Sequence, residues 1–139
     1  MDKKNKLIGI SKNKNKIDFM GKKILIVDDD ERNIYILNEA LASRNANVIS
    51  ASNGVDAIRK VNEEDGIDLI LMDIMMPIMD GYEAIAKLKA SNYSKIPIIA
   101  LTAKAMDADR KKCIEVGAND YISKPLNMEI FLKLVRAWL

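Results

Sequence analysis

Two kinds of hydrophobic pattern alternate along the chain. Short apolar runs without helical spacing recur at residues 23–28 (KILIVD), 48–51, 69–72 (LILM) and 97–101 (PIIAL), and 120–123 (DYIS) reads as a short fifth strand. Runs of this length and density suit strands buried on both faces, as in a parallel sheet. Between them apolar residues fall three or four apart. Ile34, Leu37 and Leu41 do so across 32–44, then Val55, Ile58 and Val61, and then Ala84, Ile85 and Leu88. A fourth helix is expected over 107–115, and a fifth with Phe131, Leu134, Val135 and Trp138 toward the sheet. The punctuation agrees: Ser52-Asn53-Gly54, Asp80-Gly81, Asp107 and Asn127 are helix starts, while Gly66 and Gly117 are stops. Five strands alternating with five helices predict an α/β fold, a doubly wound parallel sheet with right-handed crossovers. The flavodoxin-like order 2-1-3-4-5 fits best, because it makes the acidic ends of strands one and three neighbours at the switch point.

Composition narrows the class without changing that picture. A chain of 139 residues, 49% hydrophobic and 30% charged, has room for one domain with a proper core. Residues 1–21 carry six lysines and two aspartates, net +4, and read as a flexible basic tail or linker. Residues 22–139 carry 16 basic and 18 acidic residues, net −2, so the folded part is not marked as a nucleic-acid binder. The absence of histidine removes imidazole catalysis and His-rich metal sites. Cys113 stands alone, so no intrachain disulfide forms; it is expected as a small buried side chain in a protein of a reducing compartment, the cytoplasm. No apolar run reaches the roughly 18 residues of a membrane span, and Leu7–Ile10 is too short for a signal-peptide core.

The chemistry gathers around residues 68–81, DLILMDIMMPIMDG. Asp73 stands where the apolar run stops, and in open α/β sheets ligands bind beyond the carboxyl ends of the strands. Asp28 and Asp29 end strand one, Thr102 strand four and Lys124 strand five, so all would share one rim. Three clustered carboxylates repel one another unless a cation sits among them. Oxygen donors alone point to Mg²⁺, with Ca²⁺ or Mn²⁺ as alternatives. A lysine and a threonine hydroxyl beside such an ion suit phosphoryl transfer, in which an aspartate can itself accept the group as an acyl phosphate. Asp30 and Glu31 suit the positive start of the first helix. Met72, Met75, Met76 and Met79 read as packing and loop residues.

Asp28-Asp29, Asp73 with the following MMPIMDG, Leu101-Thr102-Ala103 and Ser123-Lys124-Pro125 together resemble the motif set of bacterial response-regulator receiver domains, over residues 22–139. That resemblance implies a two-component or phosphorelay protein in which Asp73 is the phosphoacceptor. It implies a metal site of Asp28, Asp29, Asp73 and the Met75 backbone carbonyl, with Thr102 and Lys124 contacting the phosphoryl oxygens. Thr102 and Tyr121 would be the switch pair. The implied phosphodonor is a histidine kinase or a histidine phosphotransfer protein. The implied output is a downstream protein on the face of helix four, strand five and helix five, with no direct nucleic-acid contact. Such a domain promotes its own phosphorylation and dephosphorylation and is not an enzyme in the usual sense. Met75 and Lys104 would flank the attacking water and slow hydrolysis. The style of LTAKAMDADRKKC and KPLN is closest to receivers of hybrid histidine kinases and stand-alone relay regulators. Because the sequence stops soon after helix five, output is expected through protein contact, unless the domain was cut from a larger protein.

Two rivals share parts of this pattern. A nucleotide or flavin binder of the same fold needs a glycine- or hydroxyl-rich phosphate loop after strand one, where this chain has DDDERN. A phosphatase with an aspartyl nucleophile would usually carry it on the first strand and would need a cap. A receiver that binds partners without being phosphorylated is a third reading, disfavoured by the complete set of five residues.

Overall fold

The computed structural model describes residues 17–103 and 107–139. The strands are β1 (Lys23–Val27), β2 (Asn47–Ala51), β3 (Leu69–Asp73), β4 (Ile98–Thr102) and β5 (Asp120–Ser123). The helices are α1 (Glu31–Ala42), α2 (Gly54–Glu63), α3 (Gly81–Lys89), α4 (Asp107–Glu115) and α5 (Met128–Ala137). All four strand pairings are parallel, in the order β2-β1-β3-β4-β5. β3 and β4 are buried along their whole length, which is why their sequences run apolar without alternation.

Successive residues of each strand serve opposite layers. Leu25, Val27, Ile70, Met72, Ile98 and Ala100 pack with buried residues of α2, α3 and α4. Ile24, Ile26, Leu69, Leu71, Ile99 and Leu101 pack with those of α1 and α5. Side-chain caps fix four helix starts: Asp30 accepts from the Arg32 amide, Asn53 from Asp56, Asp80 from Glu83 and Asn127 from Ile130. Each satisfies an amide that the helix cannot.

The structure departs from the sequence reading in detail. Val55 was expected to face inward but is 50% exposed. With Gly54 opening the helix, positions 54, 57, 58 and 61 form the inner stripe at 100° per residue, and 55 turns away from it. Trp138 caps the end of α5, about one-third exposed at 36%, and its indole N–H donates to Asp120 Oδ2 at 3.1 Å. Leu132 takes the buried place instead. Asp107, expected as a cap, is the first helical residue of α4. Packing begins ahead of residue 22: Phe19 is buried, its amide donates to the Arg44 carbonyl at 2.8 Å, and Gly21 donates to Asn45 at 2.7 Å. Residues 1–16 of the expected tail lie outside the described residues. Among the described residues, no helix is long and apolar enough to cross a membrane.

Candidate functional site

Parallel pairing brings the polar strand ends together. Val27 pairs with Met72, so Asp28 and Asp73 follow side by side on neighbouring strands. The Asp28 amide donates to the Ala51 carbonyl at 3.1 Å and the Ile74 amide to Leu101 at 3.0 Å, which holds both aspartates as their strands end. Carboxylate oxygens of Asp28, Asp29 and Asp73 all lie within 4.8 Å of one another. Lys124 reaches in from the end of β5, its Nζ 3.2 Å from Asp73 Oδ1 and 3.4 Å from Asp28 Oδ2. The Lys124 amide donates to the Thr102 carbonyl at 2.8 Å, which ties this loop to the end of β4. Thr102 itself follows Leu101, the residue paired with Asp73.

Asp28, Asp73 and Thr102 are the buried polar residues of the described chain, at 1%, 4% and 1% exposure, while Asp29 is exposed. Three carboxylates against one ammonium leave an excess of two negative charges. Burial, and next the Asp28 charge, push the Asp73 carboxyl above the usual aspartate range, although Lys124 and the Met75 amide pull the other way. Burial works against the Lys124 ammonium, but Asp73 and Asp28 outweigh it and raise its affinity for the proton. Oxygen donors, two of them buried, with uncompensated negative charge suit a hard divalent cation.

The loop after β3 is built close against the site. The Gly81 amide donates to the Ile74 carbonyl at 2.9 Å, closing the loop where α3 begins. A side chain at Gly81 would collide with the Asp73 carbonyl and the Ile74 Cα. Within the loop Ile78 has φ +70° and is 83% exposed, a costly backbone conformation for a β-branched residue.

The five strand-end residues singled out from the sequence thus sit on one rim. The Met75 amide, rather than anything legible in the sequence, supplies a hydrogen bond to Asp73. Tyr121 pairs with Ala100 and so shares a sheet face with Thr102; it is half-buried, with the Arg110 guanidinium 4.7 Å from its ring centroid. Lys104 lies outside the described residues. Sequence reasoning missed Asn33, whose Nδ2 is 3.4 Å from Asp28 Oδ2, and the Asp30 amide, which donates to Asp28 Oδ1 at 2.9 Å. Their position in the first turn after an acidic strand end was the available signal. Beside Lys124 opens a cleft of about 290 Å³, lined by residues that include Asn33, Ile36, Leu37, Leu126 and Met128.

The sequence model of the response regulator receiver domain matches residues 24–136. The chain is 35% identical over 122 residues to Hybrid signal transduction histidine kinase L of Dictyostelium discoideum, covering 84% of this chain and 7% of that protein. It is 39% identical over 117 residues to the probable transcriptional regulator ycf29 of Pyropia yezoensis, covering 84% and 52%. It thus spans from a small fraction to about half the length of such relatives. Among solved structures, the receiver domain of the sensor histidine kinase PA1611 from Pseudomonas aeruginosa, with a magnesium ion coordinated in its active-site cleft, superposes with a TM-score of 0.78. That domain is 35% identical, over 85% of this chain and 97% of the other.

Proposed function

We infer the chemistry of this site from one premise: the chain belongs to the response regulator receiver domain family, and is a receiver domain of the two-component type. On that footing Asp73 is the phosphoacceptor. The observation that carries this assignment is the Lys124 ammonium between the buried Asp28 and Asp73 carboxylates. A single lysine so placed counters the charge of an incoming phosphoryl group, and the raised proton affinities fit a site tuned for chemistry.

The donor is a phosphohistidine on a histidine kinase or a histidine phosphotransfer protein. A carboxylate oxygen of Asp73 attacks phosphorus, the phosphorus–nitrogen bond breaks, and the imidazole leaves with that electron pair and takes a proton from water. Asp28, Asp29, Asp73 and the Met75 carbonyl would hold Mg²⁺, with Mn²⁺ as an alternative for the same donors. When bound, the ion neutralises the excess negative charge and polarises the phosphoryl oxygens. Lys124 meets one phosphoryl oxygen and the Thr102 hydroxyl donates to another. The buried setting keeps water from competing with these contacts. The cleft beside Lys124, with the exposed Ile36 at its edge, leaves room for the donor to approach.

Phosphorylation changes the local charge and adds strong acceptor oxygens. Movement of Thr102 toward them leaves space into which Tyr121 turns, and the face of α4, β5 and α5 changes shape. Phosphate thereby selects one of two conformations. A downstream protein reads that face, and no nucleic acid is contacted directly. Water later hydrolyses the acyl phosphate, so the domain promotes both halves of its cycle without being an enzyme in the usual sense. The setting is the cytoplasm, where the kinase domains that supply phosphohistidine operate.

Borohydride reduction tests the assignment, since it converts an aspartyl phosphate to homoserine. After incubation with phosphoramidate and Mg²⁺, peptide mapping should place homoserine at position 73. Homoserine at another aspartate, or inorganic phosphate released steadily with no adduct, would overturn it.

A further inference from the structure

We propose that Arg110 is a positioning residue that holds Tyr121 in its resting orientation and sets how readily the switch turns. The inference rests on the reading of Asp73, Thr102 and Tyr121 above.

Its origin is the composition of α4, which reads DADRKKCIE. Cys113 is its one buried side chain, so the helix is held with little of the apolar stripe that anchors α3 and α5. In place of that stripe, two cations reach sideways onto aromatic rings. The Lys112 ammonium stands 4.4 Å from the ring centroid of Tyr82 on α3, and the Arg110 guanidinium 4.7 Å from that of Tyr121 on β5. Both distances lie within the range where a cation is attracted to the ring face. Arg110 and Lys112 are two residues apart, so they leave the helix on different sides and brace it between its neighbours.

Of the two contacts, the one with Tyr121 bears on signalling. Tyr121 lies in a surface groove with Arg110, Ile130 and Leu134. Its strand partner is Ala100, and Thr102 lies two residues further along that face. A ring that turns toward Thr102 gives up the guanidinium. Arg110 therefore favours the ring position in this groove, where the guanidinium meets it, and opposes a turn inward toward Thr102; any ligand that selects that turn feels the same bias in reverse. An exposed cation–π contact corresponds to a factor of about two to five in that equilibrium.

Two readouts test it. In the free protein, Tyr121 χ1 populations from NMR coupling constants should shift toward the inward rotamer in Arg110→Ala by about two- to five-fold, and less in Arg110→Lys, which keeps a cation. Titration with beryllofluoride and Mg²⁺ should show Arg110→Ala binding tighter by about the same factor. In a Tyr121→Ala background, the Arg110 substitution should have no effect. Unchanged χ1 populations would overturn the proposal, as would an affinity change that persists without the tyrosine, which is what a merely destabilised α4 would give. Failure of the wild type to bind beryllofluoride would instead overturn the reading of Asp73, with the χ1 populations still deciding the role of Arg110.

Discussion

Replacing Asp73 with Asn should abolish phosphorylation and, in metal-free buffer, make the fold more stable. At an effective dielectric of about 20, Asp28 within 4.8 Å repels the Asp73 carboxylate by about 3.5 kcal/mol, and Lys124 at 3.2 Å attracts it by about 5 kcal/mol. Asp29 is exposed and adds a screened repulsion, so the pair interactions nearly cancel. Removal from water, the largest influence on this group, then decides the sign. The charged carboxylate is therefore a net cost to the fold at neutral pH, and Asp73→Asn should raise Tm by a few degrees in EDTA. The pH dependence has a definite direction. The folded-state pKa lies above the unfolded value, so the native state holds the proton more tightly between the two. The cost is therefore absent below about pH 4 and grows as pH rises through the folded value. The advantage of Asp73→Asn should vanish in acid, and Mg²⁺ should narrow it at neutral pH by stabilising the wild type. Thermal melts at several pH values, with EDTA and with Mg²⁺, measure all of this. A less stable Asp73→Asn protein in EDTA at pH 7, or an advantage independent of pH, would refute the reasoning.

Three further substitutions probe the surroundings. Gly81→Ala places a methyl group against the Asp73 carbonyl and should cost about 1–3 kcal/mol in urea melts, because backbone cannot step aside. Ile78→Asn should instead stabilise by about 0.5–1 kcal/mol, since asparagine tolerates the positive φ and the exposed isoleucine surrenders little packing. Replacing Met75 and Lys104 together with alanine should speed loss of the acyl phosphate several-fold, followed by the decay of phosphoprotein on gels; Met75 is exposed at the loop beside Asp73.

What the sequence made legible was whatever depends on local order along the chain. Doubly buried strands such as LILMD announce themselves as unbroken apolar runs, and the parallel order then follows from the alternation with helices. Asp28, Asp73, Thr102 and Lys124 were legible because each ends such a run, and a parallel sheet gathers its strand ends on one rim. Contacts between elements far apart in sequence were not legible in that way. Nothing in DADRKKCIE says that Arg110 lies over the Tyr121 ring on the neighbouring strand. Val55 was misplaced because three-residue spacing alone does not fix the edge of a stripe: Ile58 and Val61 stay inside it, while Val55 lies about 100° from Gly54 around the helix. Phe19 was left in a lysine- and asparagine-rich stretch whose composition outweighed one aromatic side chain.

The central claim is that Asp73 accepts a phosphoryl group in a cation-dependent reaction. The intact mass of the protein after incubation with acetyl phosphate and Mg²⁺ tests it most directly. The wild type should gain about 80 Da, the mass of one phosphoryl group in an acyl phosphate. The gain should be absent with EDTA and in Asp73→Asn. A gain of the same size in Asp73→Asn, or one indifferent to EDTA, would contradict the account.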